Sequence, residues 1–148
     1  MPGPWDQRFA YIAWANERCE NSIGTAADPT EALRLYGHIL AAEHLWLARI
    51  LDQAPTVDVW PQLTLEQANQ LRQQNLQAFA SLPVDEAGLA RVVSYKTTKG
   101  VPHTNRVADI LLHLVTHGGY HRGQVARAVK LGGGEPIDTD YITWCRLS

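Results

Sequence analysis

His117 and His121 stand four residues apart in the run His117-Gly118-Gly119-Tyr120-His121-Arg122-Gly123-Gln124. On an α-helix, positions i and i+4 share one face a turn apart, so the two imidazoles can aim at a single point. Neutral imidazole suits Zn, Ni, Cu and Fe, and such a pair is a common half of a transition-metal site. The plainer reading is a pair of core or surface histidines. Two features bear on the choice. Gly118 and Gly119 interrupt an otherwise good helical pattern, at about 1 kcal/mol each relative to alanine. Close approach of another helix, or a ligand that needs room, would offset that cost. The flanking residues Ile110, Leu111, Leu112, Leu114, Val115, Val125 and Ala126 are apolar. They turn the pair toward an interior, where an imidazole needs a partner.

Spacing alone does not complete the site. His113 also pairs with His117, but it lies two helical turns, roughly 12 Å along the axis, from His121. A closed or catalytic site needs a third protein ligand. His38 and His44 are the candidates, about 240° apart around their helix, so both cannot face one ion. His44 is in line with Leu33, Leu40, Leu47 and Leu51, and His38 with Leu35, Ala42 and Leu45. Periodicity leaves the choice open, with a slight lean to His44.

The elements that would carry these residues follow from caps and breakers. A first helix is predicted from about Trp5 to Ile23, closed by Gly24. A second begins at Asp28-Pro29-Thr30-Glu31, where Asp28 can cap, Pro29 fits the first turn and Glu31 completes a capping-box-like pattern; it runs to about Asp52. Thr64-Leu65-Glu66-Gln67 opens a third, which ends near Ser81-Leu82-Pro83 and whose many Gln and Asn residues predict a solvated face. The last long helix is expected from about Thr104 to Leu131, stopped by Gly132-Gly133-Gly134 and Pro136. Arg91 to Thr98 is β-branched and short, and Lys99-Gly100 reads as a turn, so this stretch is an extended crossover or a short strand. A last short helix is expected between Asp138 and Trp144. Four long helices with almost no strand imply an all-α fold, a four-helix bundle with a short extended crossover before the last long helix.

At 148 residues the chain fits a single domain spanning 1–148. With 13 Lys and Arg against 15 Asp and Glu, the net charge of −2 argues against a nucleic-acid partner. No apolar run is long enough to span a bilayer. The N-terminus lacks a basic region followed by an apolar stretch, so the expected compartment is the cytoplasm. Cys19 and Cys145 have no CxxC spacing and read as two reduced thiols.

The segment from Tyr36 to Arg49 (Tyr36-Gly37-His38-Ile39-Leu40-Ala41-Ala42-Glu43-His44-Leu45-Trp46-Leu47-Ala48-Arg49) resembles the second helix of the DinB family. That helix typically reads as a His, two aliphatics, two small residues, an acid and then Trp-Leu-x-Arg. His117 and His121, with Arg122-Gly123-Gln124 after them, match the family's later H-x-x-x-H pair. Trp14-Ala15-Asn16 and Leu131-Gly132-Gly133 match its first-helix and terminal motifs, so the likeness covers nearly the whole chain in matching order. The Gly118-Gly119 pair departs from it, since bulkier polar residues are common there, and access to a metal could differ. The resemblance implies that His38, rather than His44, joins His117 and His121 around a divalent ion. It also implies a four-helix bundle and a homodimer.

Three imidazoles leave a tetrahedral ion one open position. Relatives of this type include thiol-dependent isomerases and S-transferases. The leading expectation is therefore a metalloenzyme whose ion (Zn, Ni, Fe or Mn) activates a low-molecular-weight thiol or water against a small-molecule substrate, in a transferase, isomerase or hydrolase reaction. The alternative is a non-catalytic, stress-associated metal-binding bundle. Nuclease activity is disfavoured by the near-neutral charge and the lack of clustered carboxylates for paired Mg ions. Glu43 and Asn16 are candidates to orient a ligand, against the plainer readings of a solvated acid and a local cap. Arg122 reads as a surface ion-pair residue or an anion binder. Tyr120 and Trp46 read as core or interface aromatics, His103 as a loop histidine and His113 as a buried core histidine or a support for the site.

Overall fold

A computed structural model describes residues 2–147. It is mostly helical, with one small antiparallel sheet. The elements in chain order are α1 (Pro4–Ile23), α2 (Thr30–Ile50), α3 (Leu65–Ser81), α4 (Glu86–Ala90), β1 (Val92–Lys96), β2 (Pro102–Arg106), α5 (Val107–Leu131) and α6 (Tyr141–Cys145). No helix is long and apolar enough to cross a membrane, among the described residues.

The helix starts follow their local chemistry. The Gly3 N–H donates to Asp6 Oδ2 (2.8 Å) ahead of Pro4. Thr64 forms a full capping box: its hydroxyl accepts from Gln67 N (3.1 Å), and Gln67 Oε1 accepts from Thr64 N (2.9 Å). The box expected at α2 does not form. Asp28 accepts the Thr30 N–H (3.2 Å), while Glu31 turns outward to Arg34 (2.7 Å). An arginine one turn on is a stronger partner for a carboxylate than a single backbone amide.

One boundary and one element differ from expectation. Residues 104–106, predicted as the start of the last helix, belong to β2, where Ser94 pairs with Thr104 and Val92 with Arg106. The strand is held by ladder partners that local propensity does not see. Gly100 closes the hairpin turn at φ +81°, a conformation that favours glycine. The short α4, capped by Asp85 accepting from Gly88 N (2.9 Å), was not anticipated. At the other end of α5, the Gly132 carbonyl accepts from Asp28 N (3.1 Å), and a Cβ at Gly132 would collide with the Asp28 carbonyl. The glycine run thus stops the helix and docks it on the α1–α2 loop.

The four long helices pair as α2 with α5, α2 with α3, α1 with α5 and α1 with α3. Their apolar contacts fall into two clusters. One holds Ile12, Leu47, Phe79 and Leu114; the other holds Cys19, Leu40, Leu71 and Val125. Between them in sequence, on every one of the four helices, lies a buried polar residue: Asn16, Glu43, Asn75 and Arg122. Asn16 Nδ2 donates to Glu43 Oε2 (2.9 Å), Asn75 Nδ2 to Glu43 Oε1 (3.2 Å), and Arg122 Nη1 to Asn16 Oδ1 (2.9 Å).

This polar layer corrects several expectations. Glu43 is no solvated acid: it is 3% exposed, and burial raises its carboxyl to about 7, against the opposing pull of Asn16, Arg122 and Asn75. Arg122, equally buried, makes no surface ion pair. Asn75 removes one residue from the face of α3 predicted to be solvated, and Asn69 turns to Glu20 (2.8 Å).

Candidate metal centre

α2 and α5 form the seam that brings the histidines together. His38 projects from α2 into it, 7% exposed, while His117 and His121 stand a turn apart on α5, half-buried. The ring centroids are 5.0 Å apart for His38 and His117, 4.7 Å for His38 and His121, and 4.5 Å for His117 and His121. One ligand nitrogen from each ring lies within 4.8 Å of the other two. At the outer limit of that spacing the centre lies about 2.8 Å from each nitrogen, so the rings would close in by less than 1 Å to reach the 2.0–2.1 Å of a Zn–N bond.

Two rings are fixed from behind. His38 Nδ1–H donates to the Val59 carbonyl (2.8 Å), which leaves the lone pair on Nε2. His121 Nδ1–H donates in the same way to Gln124 Oε1 (2.7 Å). Carbonyl-type acceptors behind ligating histidines are a regular feature of metal sites, because they set tautomer and ring orientation. Trp60 stacks on His38 at 3.8 Å and 4°, and the Arg34 guanidinium lies 4.7 Å above the Trp60 ring.

The electrostatics agree with a cation-binding set. Burial, followed by the nearby His121, His38 and His113, pushes the His117 pKa down to about 4. His38 is lowered chiefly by burial, with His121 and Arg34 adding to it against the Val59 hydrogen bond. These two rings are therefore neutral at pH 7, the form that ligates. The donor set, its tautomers and its spacing fit a divalent transition metal.

The remaining histidines lie outside the cluster. His44, toward which periodicity leaned, is turned away: its Nε2 accepts the Thr56 N–H (2.9 Å). His113 is exposed rather than buried, with its ring 5.7 Å from Trp46 and 5.3 Å from His117. His103 sits on β2, not in a loop. Tyr120 is 69% exposed and is not a core aromatic, whereas Trp46 packs against Tyr95 (4.9 Å). Asn16 and Glu43 spend their hydrogen bonds within the polar layer rather than on the imidazoles. Gly118 answers to packing, since a Cβ there would lie 2.9 Å from Arg122 Nη1.

The chain matches the model of the DinB family over residues 1–146. It belongs to the DinB family. No curated protein matches it, nor does any solved structure. The histidines that the DinB likeness singled out are the three that converge in space. Val59, Trp60 and Gln124 had not been singled out as site residues. Gln124 carried a local signal, standing one turn after His121 on the same face; Val59 and Trp60 arrive from the α2–α3 loop and carried none.

Proposed function

We propose that His38, His117 and His121 bind a divalent transition metal, and that the chain uses it to make a low-molecular-weight thiol, or water, reactive toward a small electrophilic substrate. The observation that carries this reading is the convergence of three imidazoles, two with their Nδ1 protons already spent on carbonyl oxygens. When bound, such an ion supplies Lewis acidity, which generates a nucleophile at neutral pH.

The chain's own residues set the terms of that chemistry. Val59 and Gln124 hold the His38 and His121 rings in one tautomer. His117, neutral down to about pH 4, needs no proton release before it ligates. No carboxylate joins the cluster among the described residues, so the ligand set adds no negative charge. An ion held by neutral ligands keeps its full charge, which favours an anionic ligand such as a thiolate. Cys19 is not that thiol, because burial inside the core pushes it up to about 12. Three imidazoles accept Zn, Ni, Fe or Mn. The same reading takes α1, α2, α3 and α5 as a four-helix bundle, supported by their pairing in a closed ring.

Metal analysis of the purified protein tests the site. About one divalent ion per chain is expected in the parent, and loss of it in His38→Ala, His117→Ala and His121→Ala. Normal metal content in His117→Ala overturns the assignment. A second reading, a purely structural ion, is favoured by one fact: the three ligands come from two helices, so an ion would also clamp α2 to α5. A melt with and without chelator separates the two, because a large fall in Tm on chelation marks the clamp.

A further inference from the structure

A cleft of about 440 Å³ opens on the α2–α5 seam, next along it from the histidine cluster, whose three rings do not line it. Its α2 wall includes Arg34 and Leu35, one turn before His38. Its α5 wall includes Gln124, Ala128 and Leu131, which follow His121 on the same helical face. Two of these residues tie the cleft to the cluster: Gln124 accepts from His121, and Arg34 covers the Trp60 ring that stacks on His38.

The charges in the cleft are unequally engaged. Arg34 is held by Glu31 through two hydrogen bonds (2.9 and 2.7 Å), and the Asp28 carboxylate accepts the Thr30 N–H. Arg127, also on the cleft wall, has no hydrogen-bond or ion-pair partner among the described residues. It stands about 9 Å along the helix from His121, at 1.5 Å per residue. Leu35, one turn before His38 on α2, gives the interval between them an apolar wall, and Ala128 and Leu131 line the cleft at and beyond the level of Arg127.

We infer that this cleft binds the carboxylate tail of a small molecule whose thiol head sits at the histidine cluster, with Arg127 as the anchoring charge. The inference rests on the metal-and-thiol reading above and adds to it the class of ligand: a thiol and a carboxylate separated by a short aliphatic spacer. A guanidinium matches a carboxylate through two parallel N–H donors, and Leu35 offers the spacer an apolar contact on the way.

The test uses the full chain loaded with Co(II), titrated with mercaptohexanoate and with mercaptohexanol, and followed by the cobalt absorption bands. The two probes share a thiol and a spacer and differ at the tail. The parent is expected to bind the carboxylate about fivefold more tightly at low ionic strength, the range of an exposed ion pair. Arg127→Gln should abolish that preference and leave the affinity for the alcohol unchanged. Lys130→Gln makes the same change in charge on α5 outside the cleft and should keep the preference. Equal binding of the two thiols by the parent overturns the inference while the metal reading stands. So does a preference that survives in Arg127→Gln, or one that Lys130→Gln removes as well. Failure to load cobalt, or a spectrum that neither thiol changes, defeats the parent reading and this inference with it.

Discussion

The histidine cluster and the buried polar layer share α2 and α5, the layer drawing on α1 and α3 as well, and they treat their polar atoms in opposite ways. In the layer, the donors meet acceptors with one exception: both Glu43 oxygens are taken by amides from Asn16 and Asn75, and Asn16 in turn accepts from Arg122. The one gap among the described residues is Arg122 Nε, which has no partner. In the cluster, three rings crowd together, and the groups that could partner them hold the outer nitrogens. Burial, with the neighbouring rings adding to it, disfavours protonation of His117. A saturated network holds helices in register, whereas an unsaturated one beside solvent marks a place built for a ligand.

The comparison breaks most sharply under substitution. Arg122→Met leaves Glu43 without its opposing charge and Asn16 without a donor, and should lower the stability of the metal-free protein by about 3 kcal/mol. His117→Ala should lower it by no more than about 1 kcal/mol, since a half-buried ring with no hydrogen bond is lost. Urea unfolding of the two apo variants measures both. Equal losses would make the histidines structural elements.

The two regions should also pull stability in opposite directions with pH. A buried Glu43 near 7 titrates above its unfolded value, so the unfolded chain gives up that proton first, and stability falls as pH rises from about 4.5 to 7. His117 near 4 titrates below its unfolded value, so the unfolded chain binds the extra proton, and stability rises with pH from about 4 to 6.5. In the parent the two slopes oppose each other. Glu43→Gln removes the first and should steepen the rise in apo stability between pH 4.5 and 6.5. An unchanged slope would show that Glu43 is ionised throughout that range.

Inside the cluster, Gln124 provides a smaller contrast. Gln124→Ala frees the His121 ring without removing a ligand. Loss of such an outer partner lowers metal affinity on the order of tenfold. Competition with a chelator reads the change, and apo stability should hardly move because Gln124 is exposed.

These contrasts also show which features a sequence can carry. The His117/His121 pair and the Thr64 capping box were legible because their partners are local. The third ring of the cluster was not, because residues 35–43 of α2 are buried without interruption, and a helix covered on all sides has no face for periodicity to find. Resemblance to DinB proteins pointed to His38, the ring that stands beside the other two, where spacing leaned to His44. The polar layer was misread for a different reason. Charged residues are seldom buried, so Glu43 and Arg122 read as solvated, and their bonds join positions 27 and 106 residues apart. The start of α5 was misplaced because β2 is held by pairing across the hairpin, not by its own residues.

Gly118 and Gly119 place the same contrast on adjacent residues. Both sit inside α5, where alanine is favoured over glycine by about 1 kcal/mol. A methyl at Gly119 meets nothing within 4 Å, so Gly119→Ala should raise apo stability by most of that amount. A methyl at Gly118 would press on Arg122 Nη1, the atom that donates to Asn16. The arginine tip is long enough to move, but moving it breaks a buried hydrogen bond worth about 1 kcal/mol or more, which cancels the gain in propensity. The two variants should therefore differ by about 1 kcal/mol in urea midpoint-derived stability, with Gly118→Ala at or below the parent. An equal gain in both would mean that the guanidinium finds another acceptor at no cost, and that the polar layer is less tightly matched than its distances imply.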